Sequence, residues 1–156
     1  MKKYLSPENE YRLWVLLHHT RDVMFKAREK ELRKYGITCM QSAVMFIIKA
    51  NDGKATPSTI AKWLLRAPHT VSGILTRMER GNLVKKTADS NVKGQMNVSL
   101  TERGEEVYRQ TLQRKSIQEI MSCLPEQERK QLSLSLEKLR HESFRNLAIP
   151  EQIPFP

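Results

Sequence analysis

The sequence predicts a mainly α-helical fold that contains one small β-hairpin. Apolar residues recur at helical spacing through most of the chain, and this spacing changes to that of strands in one stretch after residue 82. Residues with capping side chains stand at the boundaries of the periodic segments. At 156 residues, the chain has the length of one ordinary domain.

A long first helix is predicted to end at Gly36. Ser6, Pro7 and Glu8 form a typical helix start, with a capping hydroxyl, proline at the first helical position and an acid near the positive end of the dipole. The helix would span roughly 27 residues, which is long for a domain of this size. We therefore expect it to pack against an extended partner. Thr38 begins a second helix, which a turn at residues 51–53 ends.

Two short helices follow in succession. Pro57 and Ser58 begin the first, and residues 66–68 form a break before the second. The second covers about residues 69–80 and ends at Gly81-Asn82, where Asn82 suits the left-handed conformation common at helix ends. Its buried face is predicted to consist of Val71, Ile74, Leu75 and Met78.

A change of period after this helix indicates a β-hairpin. The strands Leu83–Thr87 and Gln95–Leu100 flank a polar stretch at residues 89–94 that is rich in turn residues. Thr101 then caps a long helix that is expected to continue through Ile120.

A last helix follows a break at residues 124–126 and runs to about Leu147. We expect a single domain over residues 1–156. The proposed division is a helical dimerisation region at 7–35 and 105–148 and a DNA-binding region at 38–104.

The charge of the chain favours a polyanionic partner, either nucleic acid or an acidic membrane surface. Lys and Arg number 27 against 17 Asp and Glu, so the net charge is +10. The excess is concentrated in residues 54–103, which hold nine basic and three acidic residues. No apolar run approaches the roughly 20 residues that span a bilayer, and no signal peptide is evident. Cys39 and Cys123 are far apart, which is typical of a protein of the reducing cytoplasm.

Two short helices followed by a basic hairpin predict a winged helix-turn-helix. The major groove of duplex DNA admits one α-helix, and the second helix of such a pair presents its polar face to base edges. The alternative is that the polar residues of this helix, Arg77 and Arg80 among them, are ordinary solvated side chains. The predicted DNA contacts are Ser58, Arg66, His69, Thr70, Ser72, Gly73, Thr76, Arg77, Arg80, Lys85, Lys86 and Lys93.

This segment resembles the MarR (multiple antibiotic resistance regulator) family. The most specific match is residues 98–104, Val-Ser-Leu-Thr-Glu-Arg-Gly, which is similar to the V-x-L-T-x-x-G pattern of the family after the wing. Residues 58–64, 70–72 and 78–84 also resemble the family, and the order of helices matches over nearly the whole chain.

The resemblance implies a homodimer in which the first and the last two helices of each subunit intertwine. The second helix of each helix-turn-helix is called here the reading helix. The two reading helices of the dimer would then lie about 34 Å apart on a pseudo-palindromic operator. Repression is the usual mode of the family. The wing departs from the family pattern, because Val92, Lys93 and Gly94 stand where an Asp-Arg-Arg run is usual. Gly73 replaces a common polar or basic residue, and Asn82 replaces a usual glycine.

The resemblance also implies a small aromatic or phenolic effector that binds between the dimerisation helices and the DNA-binding region. The alternative is that the candidate residues are ordinary core or interface side chains. His18 and His19 are adjacent and lack the spacing of a metal site, and a thiol switch is disfavoured because no cysteine lies near the start of the first helix. The candidate effector residues are Trp14, His18, Arg21, Met24, Met40 and Met45.

An enzyme is not indicated, since the chain has no glycine-rich phosphate loop and no nucleophile–base constellation. No cofactor is predicted. A winged-helix module that binds proteins and has weak or lost DNA binding remains the alternative to a DNA-binding regulator, because the wing is atypical.

Overall fold

The computed structural model describes residues 9–150, so the predicted helix start at Ser6-Pro7-Glu8 lies outside the described residues. A 3-10 turn at Arg33–Tyr35 extends the first helix to Gly36, as predicted. The predicted fold class is confirmed. The helices are α1 (Asn9–Leu32), α2 (Cys39–Ala50), α3 (Pro57–Leu64), α4 (Pro68–Arg80), α5 (Glu102–Thr111), α6 (Lys115–Met121) and α7 (Glu126–Asn146), and the strands are β1 (Lys54–Ala55), β2 (Val84–Ala88) and β3 (Met96–Leu100).

Threonine hydroxyls begin three of the helices. Thr38 and Gln41 form a reciprocal capping box at α2, in which the Gln41 N–H donates to Thr38 Oγ1 over 3.2 Å and the Thr38 N–H donates to Gln41 Oε1 over 2.9 Å. Thr101 caps α5 as predicted. The cap of α3 is Thr56, one residue before the predicted start, because Pro57 occupies the first helical position.

A tight turn separates α3 from α4. Leu65 ends α3 in the left-handed conformation, with φ at 51°. Pro68 then begins α4 one residue earlier than predicted, since its fixed φ suits the first position of a helix. Asn82 has φ at 55°, so the left-handed conformation predicted for it is confirmed.

The wing is part of a three-stranded antiparallel sheet with the strand order β1-β3-β2. The predicted hairpin is present, and its strands pair from Val84 opposite Leu100 to Ala88 opposite Met96. Strand β1, which pairs Lys54 with Ser99, was not predicted from the sequence. A strand of two residues is too short to show a period of its own.

The expectation of one long helix after Thr101 is wrong, because two helices, α5 and α6, occupy this part of the chain. The chain breaks between α5 and α6, where Arg114 has φ at 49°. Glu31 of α1 stabilises this break, because its carboxylate accepts hydrogen bonds from the Lys115 N–H at 2.9 Å and the Ser116 N–H at 3.1 Å. Arg28 donates to the Thr111 carbonyl oxygen over 2.9 Å from the same helix.

The core lies between α2, α3, α4 and the sheet, and Leu32 at the end of α1 reaches it. The predicted apolar face of α4 is fully buried there. Met45 has no exposed surface and belongs to this core, and its role as an effector residue stays a prediction. Outside the core, the first half of α1 and most of α7 expose large apolar side chains.

Candidate nucleic-acid interface

Helix α4 presents a polar and basic face away from the core. Because residues of an α-helix are spaced by about 100° around its axis, the side opposite the buried apolar face carries His69, Gly73, Thr76 and Arg80. His69 and Arg80 are exposed, whereas Gly73 and Thr76 are partly covered. The Thr76 hydroxyl donates to the Ser72 carbonyl oxygen over 2.9 Å, so this hydroxyl hydrogen is engaged within the helix.

Basic and hydroxyl side chains meet at the N-terminal end of α4. One cleft, between α4 and the start of α2, is lined by Arg66, Thr70 and Arg77. Residue 66 lies in the loop before α4, and residue 77 lies about three helical turns after it. Ser58 is exposed on the neighbouring helix α3. Ala67 provides no side-chain cap for α4, so the first-turn N–H groups lack a side-chain acceptor. Such a helix end favours an anion.

The wing carries two exposed lysines and one that is paired. Lys85 and Lys93 are exposed. The Lys86 ammonium lies 3.0 Å from Glu79 Oε2 of α4, and its side chain is only 27% exposed. This ion pair connects the base of the wing to the reading helix and neutralises part of the charge that Lys86 would offer to DNA.

Asp89 organises the wing tip, which the sequence analysis described only as turn-rich. Its Oδ1 accepts from the Asn91 N–H at 2.8 Å and the Val92 N–H at 3.1 Å, and its Oδ2 accepts from Asn97 Nδ2 at 2.6 Å. These hydrogen bonds, the one from Asn91 first, lower the pKa of Asp89. An aspartate side chain that accepts from the backbone N–H two residues further on is a common feature of such turns. The tip holds Lys93 exposed beside Gly94, whose φ is 80°.

The candidate effector residues divide into two groups. Arg21 and Met40 lie in the same cleft of about 610 Å³ between α1, α2 and α4. The rings of Trp14 and His18 lie with their centroids 4.1 Å apart and their planes tilted by 45° on exposed turns of α1, and they do not line this cleft. Met24 is half-buried and also lies outside the lining.

The cleft has a strongly basic lining that the sequence analysis did not foresee as a unit. Its cations are Arg21, Arg66 and Arg77, and its one carboxylate is Glu29, which accepts a hydrogen bond from the Cys39 N–H at 2.6 Å. Arg21 also pairs with Asp22 at its rim. Phe25 was not among the predicted residues; its ring centroid lies 5.1 Å from the Arg21 guanidinium carbon, and its spacing of four residues from Arg21 was the available signal.

The Cys39 thiol is held protonated at the start of α2. Burial raises its pKa to about 12, and the nearby Glu29 carboxylate contributes to the rise. The thiol donates to the Phe25 carbonyl oxygen over 3.7 Å. A thiol of this kind is a poor nucleophile, which agrees with the sequence-based argument against a thiol switch.

Comparisons with known proteins show which solved structures share this fold. No protein-family model and no curated protein sequence matches the chain. Among solved structures, the organohalide-sensing transcriptional regulator RdhR in its 2,4-dichlorophenol-bound form is 27% identical, with a TM-score of 0.81 over 91% of this chain and 85% of that one. MepR from Staphylococcus aureus in complex with DNA is 26% identical, with a TM-score of 0.74 over 82% of this chain and 96% of that one.

A mutant of MarR from E. coli in complex with operator DNA shares the fold, with 23% identity and a TM-score of 0.78 over 85% of this chain and 96% of that one. Residues 98–104, which resemble the family pattern in sequence, form the end of β3 and the capped start of α5. The chain shares the winged helix-turn-helix fold of MarR-family transcription regulators.

Proposed function

We propose that this regulator is a homodimer that binds a pseudo-palindromic operator in double-stranded DNA and represses transcription by occluding the promoter. The observation that carries the proposal is the outward face of α4, which is polar and basic and serves no packing role in the described residues. One such helix per subunit fits the major groove. No catalytic role is proposed, since the neighbouring structures are transcriptional regulators.

Exposed apolar residues support the dimer. Leu13, Trp14 and Leu16 of α1 are each more than half exposed, and α7 exposes Leu136 and Leu139. A soluble monomer rarely leaves so many large apolar side chains in water. We assign the dimerisation region to residues 7–35 and 105–148 and the DNA-binding region to 38–104.

The site of action is proposed to be the cytoplasm. Cys39 and Cys123 are both free thiols, which suits a reducing compartment. No helix within residues 9–150 is long and apolar enough to cross a bilayer.

Selection of bound fragments from random or genomic DNA tests the DNA-binding proposal. We expect an inverted repeat whose half-sites are about one helical turn apart. Binding should weaken steeply with salt, and the slope of log K against log[salt] should be about −0.9 for each phosphate contacted. Absence of duplex binding at low salt would favour the alternative, a protein-binding module of winged-helix fold.

We further propose that a small aromatic or phenolic anion acts as an effector in the basic cleft. The lining combines three arginines with the apolar side chains of Phe25 and Met40, and RdhR has been solved with a bound chlorinated phenol. Arg77 and Thr70 line the cleft and also belong to the reading helix, so an anion there would compete with DNA for them.

Titration of the protein–operator complex with 2,4-dichlorophenol and with benzoate tests this effector site. Release of DNA is expected at lower effector concentration for the parent than for Arg21→Ala, because Arg21 lines the cleft but lies on α1, away from the DNA-reading face. If the parent and Arg21→Ala released DNA at the same effector concentration, the effector would bind at another site. Lys26→Ala is the matched control, since this residue is an exposed cation on the same helix and lies outside the lining.

A further inference from the structure

Gly73 occupies the middle of the outward face of α4. His69 lies one turn before it and Arg77 one turn after it, and Arg80 lies near the C-terminal end of the same face. Glycine is the worst residue after proline for the interior of a helix, because the free chain loses more entropy when it is ordered. A glycine at this position therefore lowers stability.

The fold itself does not need this glycine. Gly73 is not among the described glycines with positive φ, so its backbone suits any L-residue. A Cβ built on it would meet only Arg77 Nη1, at 3.9 Å, which is an ordinary contact. Gly104 is different, because a Cβ there would collide with the carbonyl oxygen of Leu83. Packing explains Gly104 and leaves Gly73 unexplained.

The surroundings of Gly73 suit the edge of a base pair. Positive charge flanks it at Arg77 and Arg80. Because the Thr76 hydroxyl donates to the Ser72 carbonyl oxygen, the hydroxyl is turned along the helix and the methyl group is left as the apolar part of that side chain. The thymine 5-methyl group is the apolar feature of the major-groove edge, and small or methyl-bearing side chains are its usual contacts.

We propose that Gly73 is a specificity-determining residue, at which the backbone of α4 comes into contact with the major-groove edge of a T·A pair through the thymine methyl group. This inference rests on the proposed DNA-binding function. The alternative is that glycine, in place of the polar or basic residue that is common in the family, only removes one side-chain contact with DNA. If glycine only removed a contact, a longer polar residue at position 73 would improve DNA binding. If the backbone of α4 approaches the base pair closely, any side chain at this position weakens DNA binding.

The test uses the full chain and the operator fragment that selection with the parent protein yields. Gly73→Ala should raise the thermal midpoint by about 2–4 °C, because alanine favours the helix. Its operator affinity should fall at least about tenfold, while affinity for unrelated duplex DNA stays unchanged. Gly73→Gln should lower operator affinity further. Gln127→Ala on α7 is the control, because it shortens an exposed helical side chain that lies away from the reading face.

A thymine-to-deoxyuridine scan of the half-site identifies the contacted methyl group. One deoxyuridine should weaken binding of the parent about threefold to tenfold and should leave the binding of Gly73→Ala unchanged. Unreduced operator affinity of Gly73→Ala, improved affinity of Gly73→Gln, or no sensitive thymine would overturn the inference while the DNA-binding function stands. If the parent binds no duplex DNA, the proposed function itself fails.

Discussion

A cation contributes to DNA binding according to how far its charge is already neutralised within the protein. Lys86 is paired with Glu79 at 3.0 Å, so DNA would have to compete with a carboxylate for it. No ion pair is present for Arg77, Arg80 or Lys93 among the described residues. Their charge is available to phosphates and base edges, and we expect them to dominate the affinity.

Arg77→Ala should weaken operator binding by about 1–3 kcal/mol and change the sequence preference, because an arginine fork on the reading helix discriminates between bases. Fluorescence anisotropy on the selected operator and on single-base variants measures both effects. Lys93→Ala is the matched comparison on the wing. It should weaken all duplexes alike and make the salt slope less steep by about 0.9. An unchanged base preference in Arg77→Ala would show that another residue reads the bases.

The two cysteines should react at very different rates. The pKa of Cys39 is raised to about 12 by burial and by Glu29, so almost no thiolate exists at neutral pH. Cys123 is exposed. Titration with a thiol reagent should label Cys123 rapidly and Cys39 only slowly, and unfolding should abolish the difference. Peroxide treatment should leave DNA binding unchanged. Rapid labelling of Cys39 in the folded protein would contradict the described contacts.

At the scale of elements, the features that the sequence predicted are those controlled by neighbouring residues. Thr38 and Thr101 cap the helices that follow them, and Asn82 takes the left-handed conformation, because each depends on the type of one side chain and its immediate backbone. The break before α6 could not be predicted in this way. No glycine or proline stands at residues 112–114, and the stabilising carboxylate comes from Glu31, more than eighty residues earlier.

The same distinction applies to the candidate site. The outward face of α4 was predictable, since one helical period defines it. The basic cleft was not, because Arg21 and Arg66 come from separate elements whose packing brings them together. The neutralisation of Lys86 was hidden for the same reason, since Glu79 and Lys86 lie on a helix and a strand.

The Glu31 contact predicts a pH-dependent stability. Burial alone would raise the pKa of Glu31, but hydrogen bonds from Ser116 and Arg28 outweigh it and lower the pKa from 4.5 to about 2. The folded pKa is thus below the unfolded one, so the contribution is complete above about 4.5 and is lost as the pH falls toward 2. Arg28 pairs with the same carboxylate at 2.8 Å, and both side chains are nearly buried.

Glu31→Gln should therefore lower the free energy of unfolding by about 1–3 kcal/mol near neutral pH, and its stability should approach that of the parent as the pH falls from about 4.5 to 2. Thermal unfolding followed by circular dichroism over this range provides the measurement. Glu119→Gln, at an exposed position of α6, serves as the control and should show no such convergence. A constant difference at all pH values would mean that the carboxylate charge does not stabilise the break.

For the whole molecule, the proposed arrangement of two reading helices on one operator requires a second copy of the chain. In a single subunit, Leu136 is 40% exposed and Leu139 is 50% exposed on one face of α7. Leu17 of α1 and the hydroxyls of Ser133 and Ser143 border the same groove. Burial of such a face is worth about 25 cal/mol for each Å² of apolar surface removed from water, so a shared interface of ordinary size is sufficient to hold a dimer together.

Leu136→Glu combined with Leu139→Glu should convert the protein to a folded monomer. Both side chains are partly in water before association, so the charges cost the single subunit little, whereas a dimer would have to bury them. Sedimentation velocity should show the halved mass, and circular dichroism should show unchanged helix content. Operator affinity should then fall to that of one half-site, because the second reading helix no longer binds as part of the same molecule.

Gln127→Glu is the charge control for this experiment. It is exposed on α7 and lies roughly on the opposite side of the helix, given about 100° for each residue. It should remain dimeric and bind the operator like the parent. Point substitutions are preferable to removal of α7, because Phe144 near its end is only 7% exposed and borders a groove with Pro57 and Ala61 of α3. If the doubly charged variant stays dimeric, the subunits associate through another surface, and the spacing of the half-sites would have to be explained from that surface instead.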